Sequence, residues 1–336
     1  GFERSIFIKM ATIKDIAEHL GIAVSTVSKG LNGASDISEE TRQLVLDTAV
    51  EMGYTTKKMR KPENKKVCVF VENMDYESID QFGYDIVTGF KKEAMRKKWE
   101  VTIIPTSLNL QTAERYDTYM LKNEFSGGFL IGFTLHEDWI KQLHETNVPT
   151  VLFDNYISNN NHIGYVGTDS SEGIYEAVKH LYEKGHRKIA FLNGSKNSMV
   201  SQQRQQAFVQ SMQSFDLPTQ EELMDYGYYV PDCARYHVPT FIENGATAIM
   251  CASDLIATGV IEELKRQGKR VPEDISVTGF DDLPIASRYI PSITTIQQDR
   301  CNLGKSAVML LDGLMHNVSI SKILLRAKFI ERNSTK

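Results

Sequence analysis

From Val67 onward the chain alternates short apolar runs with stretches of helical periodicity, and this alternation limits the folds open to it most. The runs are VCVFVEN (67–73), WEVTIIP (99–105), GGFLIGF (127–133), TVLFD (150–154), HIGYVGTD (162–169), KIAFLNG (188–194), TAIMCASD (247–254), ISVTGFDD (275–282) and ITTI (293–296). Between them lie helical patterns at 84–98, 112–123, 136–145, 171–184, 202–214 and 257–267. β-Branched strands that are apolar on both faces, separated by helices, predict parallel sheets covered on both sides. A single sheet of about ten strands is far above the usual size, so two sheets of about five to six strands are expected. The predicted class is α/β, with two doubly wound parallel-sheet lobes and a cleft between them.

The chain of 336 residues is long enough for two or three domains. Its 41% hydrophobic and 24% charged content is ordinary for a globular protein, and the net charge of −5 excludes a general polycation. Cys68, Cys233, Cys251 and Cys301 are scattered without metal-ligand spacing, so they read as thiols in a reducing compartment. No apolar run approaches the roughly 20 residues of a membrane span. The leader GFERSIFIK is broken by charge and lacks a small-residue cleavage site, which leaves Met10 as the natural first residue. A cytoplasmic protein is expected.

Ahead of the lobes, TIKDIAEHLGIAVSTVSKGLN (12–32) predicts two short helices joined by a tight turn. Thr12 and Asp15 have capping-box spacing, and Ile13, Ile16, Ala17 and Leu20 form one apolar face. Gly21 stands where a left-handed residue is needed. The second helix, about Val24 to Lys29, turns Val27 inward and shows Ser25, Thr26, Ser28 and Lys29 outward. Hydroxyls and a cation on an outer face suit the major groove of DNA better than a protein core. Ser38 is positioned to cap a third helix running to about Met52, ended by Gly53. The result is a three-helix headpiece with a helix-turn-helix. The run Lys57–Lys66 holds six cations against Glu63 alone. In isolation such a run is ordinarily a solvated linker, but behind a DNA-reading motif it fits a phosphate backbone.

In doubly wound lobes, ligands sit at the carboxyl ends of the strands. Those ends hold Asn73, Asp154, Asn155, Asp169, Asn193 to Ser195, Ser253, Asp254, Asp281 and Asp282, and Arg204 follows one of them. One such residue is usually a helix cap. A whole set around one cleft points to a small polyhydroxylated or anionic ligand, because carboxylates accept from hydroxyls and Arg offers a planar fork of donors. The chain has no Gly-rich phosphate loop with its Lys, no G-x-S-x-G elbow and no metal-spaced His pair. Neither catalytic residues, metal ligands nor a cofactor are expected.

These features, with SEETRQLVLDTAVEMGY, KHLYEKGHRKIAFLNG, SDLIATG, VPEDISVTGFDD, YIPSITTIQQD and the closing FIERNST, resemble the lactose/galactose repressor (LacI/GalR) family over nearly the whole chain. The resemblance implies a dimeric transcription repressor with a periplasmic-binding-protein-type core and a small effector, usually a sugar, in the cleft. It implies a headpiece at 10–54 and a basic linker or hinge at 55–66. The N-terminal lobe would be 67–161 with 299–325, and the C-terminal lobe 162–298 with 326–336. Val24, Ser25 and Lys29 would read bases, and Thr26, Ser28 and Asn32 would seat the helix on phosphates. Thr12, Lys57 and Lys58 complete the expected DNA face. Effector contacts carry over to Arg204, Ser253, Asp281, Gln298, Phe82, Asp154 and Asp169, with Tyr228 or Tyr229 as a stacking ring.

Two departures from the family pattern stand out. Ala23 replaces the usual Ser, and Lys29 the usual Arg, so a cap and a bidentate fork are lost. The linker TTKKMRKPENKK lacks the Leu that wedges into the minor groove in the family. Met59 is the one candidate wedge, and Pro62 would break a long hinge helix. The expected partners are near-palindromic double-stranded operator DNA, a second copy of the chain and a small effector, with no membrane. Two other signals stay open: a protein partner, as in catabolite control, and a purine corepressor.

Overall fold

In the computed structural model, which describes residues 10–61 and 63–336, the capping box closes as the sequence predicts. Thr12 Oγ1 accepts from the Asp15 amide at 3.2 Å, and the Thr12 amide donates to the Asp15 carboxylate at 2.7 Å. Helix α1 (Ile13–Leu20) ends at Gly21, whose φ of 65° is the left-handed conformation that a side chain would disfavour. Helices α2 (Val24–Asn32) and α3 (Glu39–Glu51) complete the headpiece, and the Ser38 hydroxyl accepts from the Thr41 amide to start α3. Ile16, Val27, Val45, Leu46 and Ala49 form its core. The linker holds one turn, α4 (Lys57–Arg60), capped by Thr56. The leader 1–9 and Pro62, with the expectations attached to them, lie outside the described residues.

The first lobe runs through β1 (Lys66–Val71), α5 (Phe82–Arg96), β2 (Glu100–Pro105), α6 (Leu108–Ala113), α7 (Tyr116–Lys122), β3 (Gly127–Ile131), α8 (Asp138–Gln142), β4 (Thr150–Phe153) and β5 (Ile163–Asp169). The second lobe follows with α9 (Ser170–Glu183), β6 (Ile189–Asn193), α10 (Met199–Ser214), β7 (Met224–Tyr226), α11 (Ala234–Glu243), β8 (Ala248–Cys251), α12 (Asp254–Arg266), β9 (Ser276–Thr278), α13 (Pro284–Arg288) and β10 (Thr295–Gln297). The chain then returns to the first lobe for α14 (Arg300–Met315) and β11 (Lys322–Arg326), and ends in the second with β12 (Lys328–Ile330). The first sheet has the order β11-β5-β4-β3-β1-β2 and the second β7-β6-β8-β9, both parallel. Strands β10 and β12 pair separately as an antiparallel ribbon. The four cysteines are free.

Several expectations shift. HIGYVGTD belongs to the first lobe, because β5 pairs with β4 and β11 and buries Ile163 and Tyr165 in that lobe's core. The first crossing therefore falls after Asp169, not before His162, and the last crossing after Arg326, which pairs with Asp169. The second sheet has four strands, since ITTI leaves it for the ribbon. The single helix expected at 112–123 is two, broken at Glu114, whose backbone is extended. Helix α11 was not predicted, because Pro239 inside it interrupts the pattern.

Helices α5 and α14 cross so closely that a Cβ on Gly89 would lie 1.9 Å from the Cys301 carbonyl oxygen. One on Gly304 would lie 2.0 Å from that of Ile86. Helix α14 is the element that brings the chain back across the first sheet, so this contact holds the lobe closed. Gly304→Ala should lower stability by about 1–3 kcal/mol through overpacking. An unchanged urea midpoint would show that the helices separate without cost.

Candidate functional site

Two places gather the residues singled out by sequence: the outer face of α2 and the facing ends of the two sheets. On α2, Val27 and Gly30 are buried, and a Cβ on Gly30 would meet Val45 at 2.9 Å. That packing turns the opposite face out. Val24 is 45% exposed, an unusual position for a Val unless something covers it, and Ser25 and Lys29 are also exposed. Thr26 and Ser28 are half-buried. Asn32 Nδ2 donates to the Ser28 carbonyl at 2.9 Å. Ala23 starts α2 with no side-chain cap, as its identity requires. Thr12 is exposed but engaged in its capping box. Lys29 is ion-paired with Asp36, a partner that the sequence reading missed, and this hydrogen bond holds the Asp36 carboxyl below its usual range.

Lys57 is exposed, and Lys58 reaches Glu124 of the first lobe at 3.7 Å. Met59, expected as a minor-groove wedge, is instead half-buried against the headpiece core. An apolar side chain one turn from that core gains more by packing there than by facing water.

Between the lobes, Arg204 of α10 is buried. Its guanidinium carbon lies 3.8 Å from the Phe280 ring centroid, and Nη1 donates to the Ala252 carbonyl at 2.9 Å. Its Nε is buried without a partner. Asp281 follows β9 with φ at 108°, a strained conformation of the kind that gathers at functional sites. Its Oδ1 accepts from Gln298 Nε2 at 2.8 Å, and Gln298 Oε1 accepts from Thr168 Oγ1 of β5 at 2.7 Å. Asp154, at the end of β4, is also left-handed, with φ 52°. Burial pushes its carboxyl up to about 7, with Arg204 pulling it down and Asp281 pushing it further up. Burial likewise raises Asp281 to about 6 against the pull of Arg204. The electrostatics thus join Asp154 of the first lobe to Arg204 and Asp281 of the second.

Other sequence-predicted residues are occupied in different ways. Ser253 is buried but caps α12, accepting from the Ile256 amide at 3.1 Å. Asp169 caps α9, accepting from the Ser171 amide at 3.0 Å. Phe82 opens α5, with its ring 6.0 Å from that of Phe153 and 5.7 Å from the Arg300 guanidinium. Tyr228 is 58% exposed, whereas the Tyr229 ring closes on Gly194, where a Cβ would come within 2.3 Å of it. Asp254 points inward, accepting from the Leu283 amide and Thr295 Oγ1, and burial raises its carboxyl well above the usual range. Asp282 turns the other way from Asp281, to Arg332 at 2.7 Å.

Arg300 is the residue that sequence missed. It is buried at the start of α14 with its Nε unpartnered and Nη2 3.5 Å from Asp85. Its place at a helix start after a crossing gave no periodic signal. Among the described residues, no helix is long and apolar enough to cross a membrane.

Both parts of the chain match known families. The family "Bacterial regulatory proteins, lacI family" matches residues 12–57, and "Periplasmic binding protein-like domain" matches 178–335. The NTD biosynthesis operon regulator NtdR of Bacillus subtilis (strain 168) is 28% identical over 335 residues, covering 97% of this chain and 100% of its own. The HTH-type transcriptional repressor CytR of Escherichia coli (strain K12) is 27% identical, covering 97% and 96%. The transcriptional regulator CelR in complex with cellobiose has the same fold, with a TM-score of 0.71 at 23% identity over 96% of this chain and 99% of that one. The chain thus carries a lacI-family regulatory domain in its helix-turn-helix headpiece and a periplasmic-binding-protein-like domain in its two-lobed core.

Proposed function

We propose that this chain represses carbohydrate-utilisation genes. It binds near-palindromic operator DNA as a homodimer, and a sugar held between its lobes alters that binding. The observation that carries the effector reading is the group Asp154, Arg204 and Asp281, drawn from both lobes around one buried guanidinium. Sugar hydroxyls donate to the two carboxylates and accept from the free Arg204 Nε, which is buried with nothing to bond. A ligand that touches both lobes binds one lobe angle better than another, and that difference in affinity is all that shifts a two-state equilibrium.

At the DNA, Val24, Ser25 and Lys29 read bases. Thr26, Ser28 and Asn32 orient α2 on the phosphates, with Thr12, Lys57 and Lys58 beside them. A Lys in the reading position presents a point charge in place of a fork, so its preference among bases is broader than that of an Arg. A two-fold dimer places two such helices on half-sites about one turn of DNA apart. The role places the protein in the cytoplasm with the DNA. No catalytic step is assigned to the cleft, because Asp281 and Asp282 point to different partners.

Two outcomes follow. In a thermal-shift screen of sugars, sugar phosphates and purines on the full chain, a sugar should raise the melting temperature by mass action, and Arg204→Ala should abolish the shift. A sugar shift that survives Arg204→Ala would remove this residue from the site.

The second outcome concerns pH. The Asp154 carboxyl sits at about 7 in the folded chain, against about 3.9 unfolded. The folded state therefore holds the extra proton, and stability from this group falls as pH rises from about 4 to about 7. Asp154→Asn should flatten the upper part of that decline and raise the ligand-free melting temperature at pH 8 by about 3 °C. Parallel stability curves for the two proteins would contradict the assignment.

A further inference from the structure

The headpiece is not held by its tether alone. Leu121 belongs to α7 of the first lobe, yet it is 6% exposed and packs in the headpiece core with Val45, Leu46 and Ala49. Around it the two bodies share polar contacts. Thr118 Oγ1 donates to Asp47 of α3 at 3.4 Å, and Lys58 pairs with Glu124 at 3.7 Å. The Met59 carbonyl accepts from Ser126 Oγ of the lobe at 3.3 Å. A cavity of about 390 Å³ lies along the same seam, between Val50, Tyr54 and Met59 on one side and Leu121, Phe125 and Leu314 on the other.

We propose that this face of the first lobe is a docking surface for the headpiece of the same chain, with Leu121 as its plug. The seated headpiece leaves α2 open, because Val24, Ser25 and Lys29 lie on a face the seam does not touch. The linker cannot do this work. Helix α4 has four residues, about 6 Å of helix, and a helix that short has no stability of its own. A headpiece of about 45 residues is also marginal by itself, so a leucine lent by the lobe both steadies and orients it. The seam then passes lobe motion directly to α2. That consequence rests on the regulatory function proposed above; the seat itself does not.

The test is amide hydrogen exchange on the full, ligand-free chain. Leu121→Ser should speed exchange across Val45–Val50 at least tenfold and leave β3 and α14 unchanged. Unchanged protection of Val45–Val50 overturns the seat. A second variant decides the matter whatever Leu121→Ser does to the lobe. The pair Asp47→Cys and Thr118→Cys, in a Cys233→Ser, Cys301→Ser background, should join through a short thiol cross-linker without DNA. The linked protein should then bind operator DNA, selected from random duplexes with the unmodified chain, within threefold of the unlinked protein. Failure to link overturns the seat, and loss of DNA binding on linking overturns the claim that the seated headpiece reads DNA. If the unmodified chain selects no DNA, the regulatory function fails while the exchange result still stands.

Discussion

The bond from Thr168 through Gln298 to Asp281 is what the two-lobed arrangement depends on. Gln298 lies in a crossing segment, is buried, and spends both ends of its amide: Oε1 on a first-lobe hydroxyl and Nε2 on a second-lobe carboxylate. Leaving either end unpaired costs about 1–3 kcal/mol, so the lobes cannot turn freely about this point. The same bond holds the carboxylate of Asp281, whose backbone is left-handed. A turn of the lobes that breaks this chain would therefore also free the Asp281 carboxylate from Gln298.

The charges in the cleft narrow the ligand class. Asp154 and Asp281 both feel the Arg204 guanidinium, and both carboxyls sit above their usual range because burial outweighs its pull. A further anion would raise the cost of charge at this site, whereas hydroxyl donors lower it by bonding the ionised forms. Of the polyhydroxylated and anionic ligands that the strand ends allow, the neutral class fits better. The stacking of Arg204 on Phe280 leaves its Nε–H free to donate to a ligand oxygen.

What the sequence made legible is local. The Thr12–Asp15 box, the left-handed Gly21 and the Ser38 cap are contacts between near neighbours, and each forms as predicted. Strand ends were legible because parallel strands deliver polar groups to one edge. What stayed hidden depends on distant partners. Membership of β5 in the first sheet is decided by its pairing with β4 and β11, not by its own pattern. Ser253 and Asp169 sit at strand ends but are bound to the helices that follow, an alternative that spacing alone leaves open. Arg300 and Leu121 carry no motif, because their roles come from what packs on them. Met59 turned inward for the same reason.

On the proposed function, sensor and reader are joined through the first lobe: cleft, crossing segment, sheet, α7, α3 and α2 in turn. The most direct measurement is operator affinity with and without a saturating amount of the sugar found by thermal shift. Coupling through this path predicts a change of at least about fivefold. A sugar that binds the cleft while operator affinity stays constant across its whole binding range would contradict it.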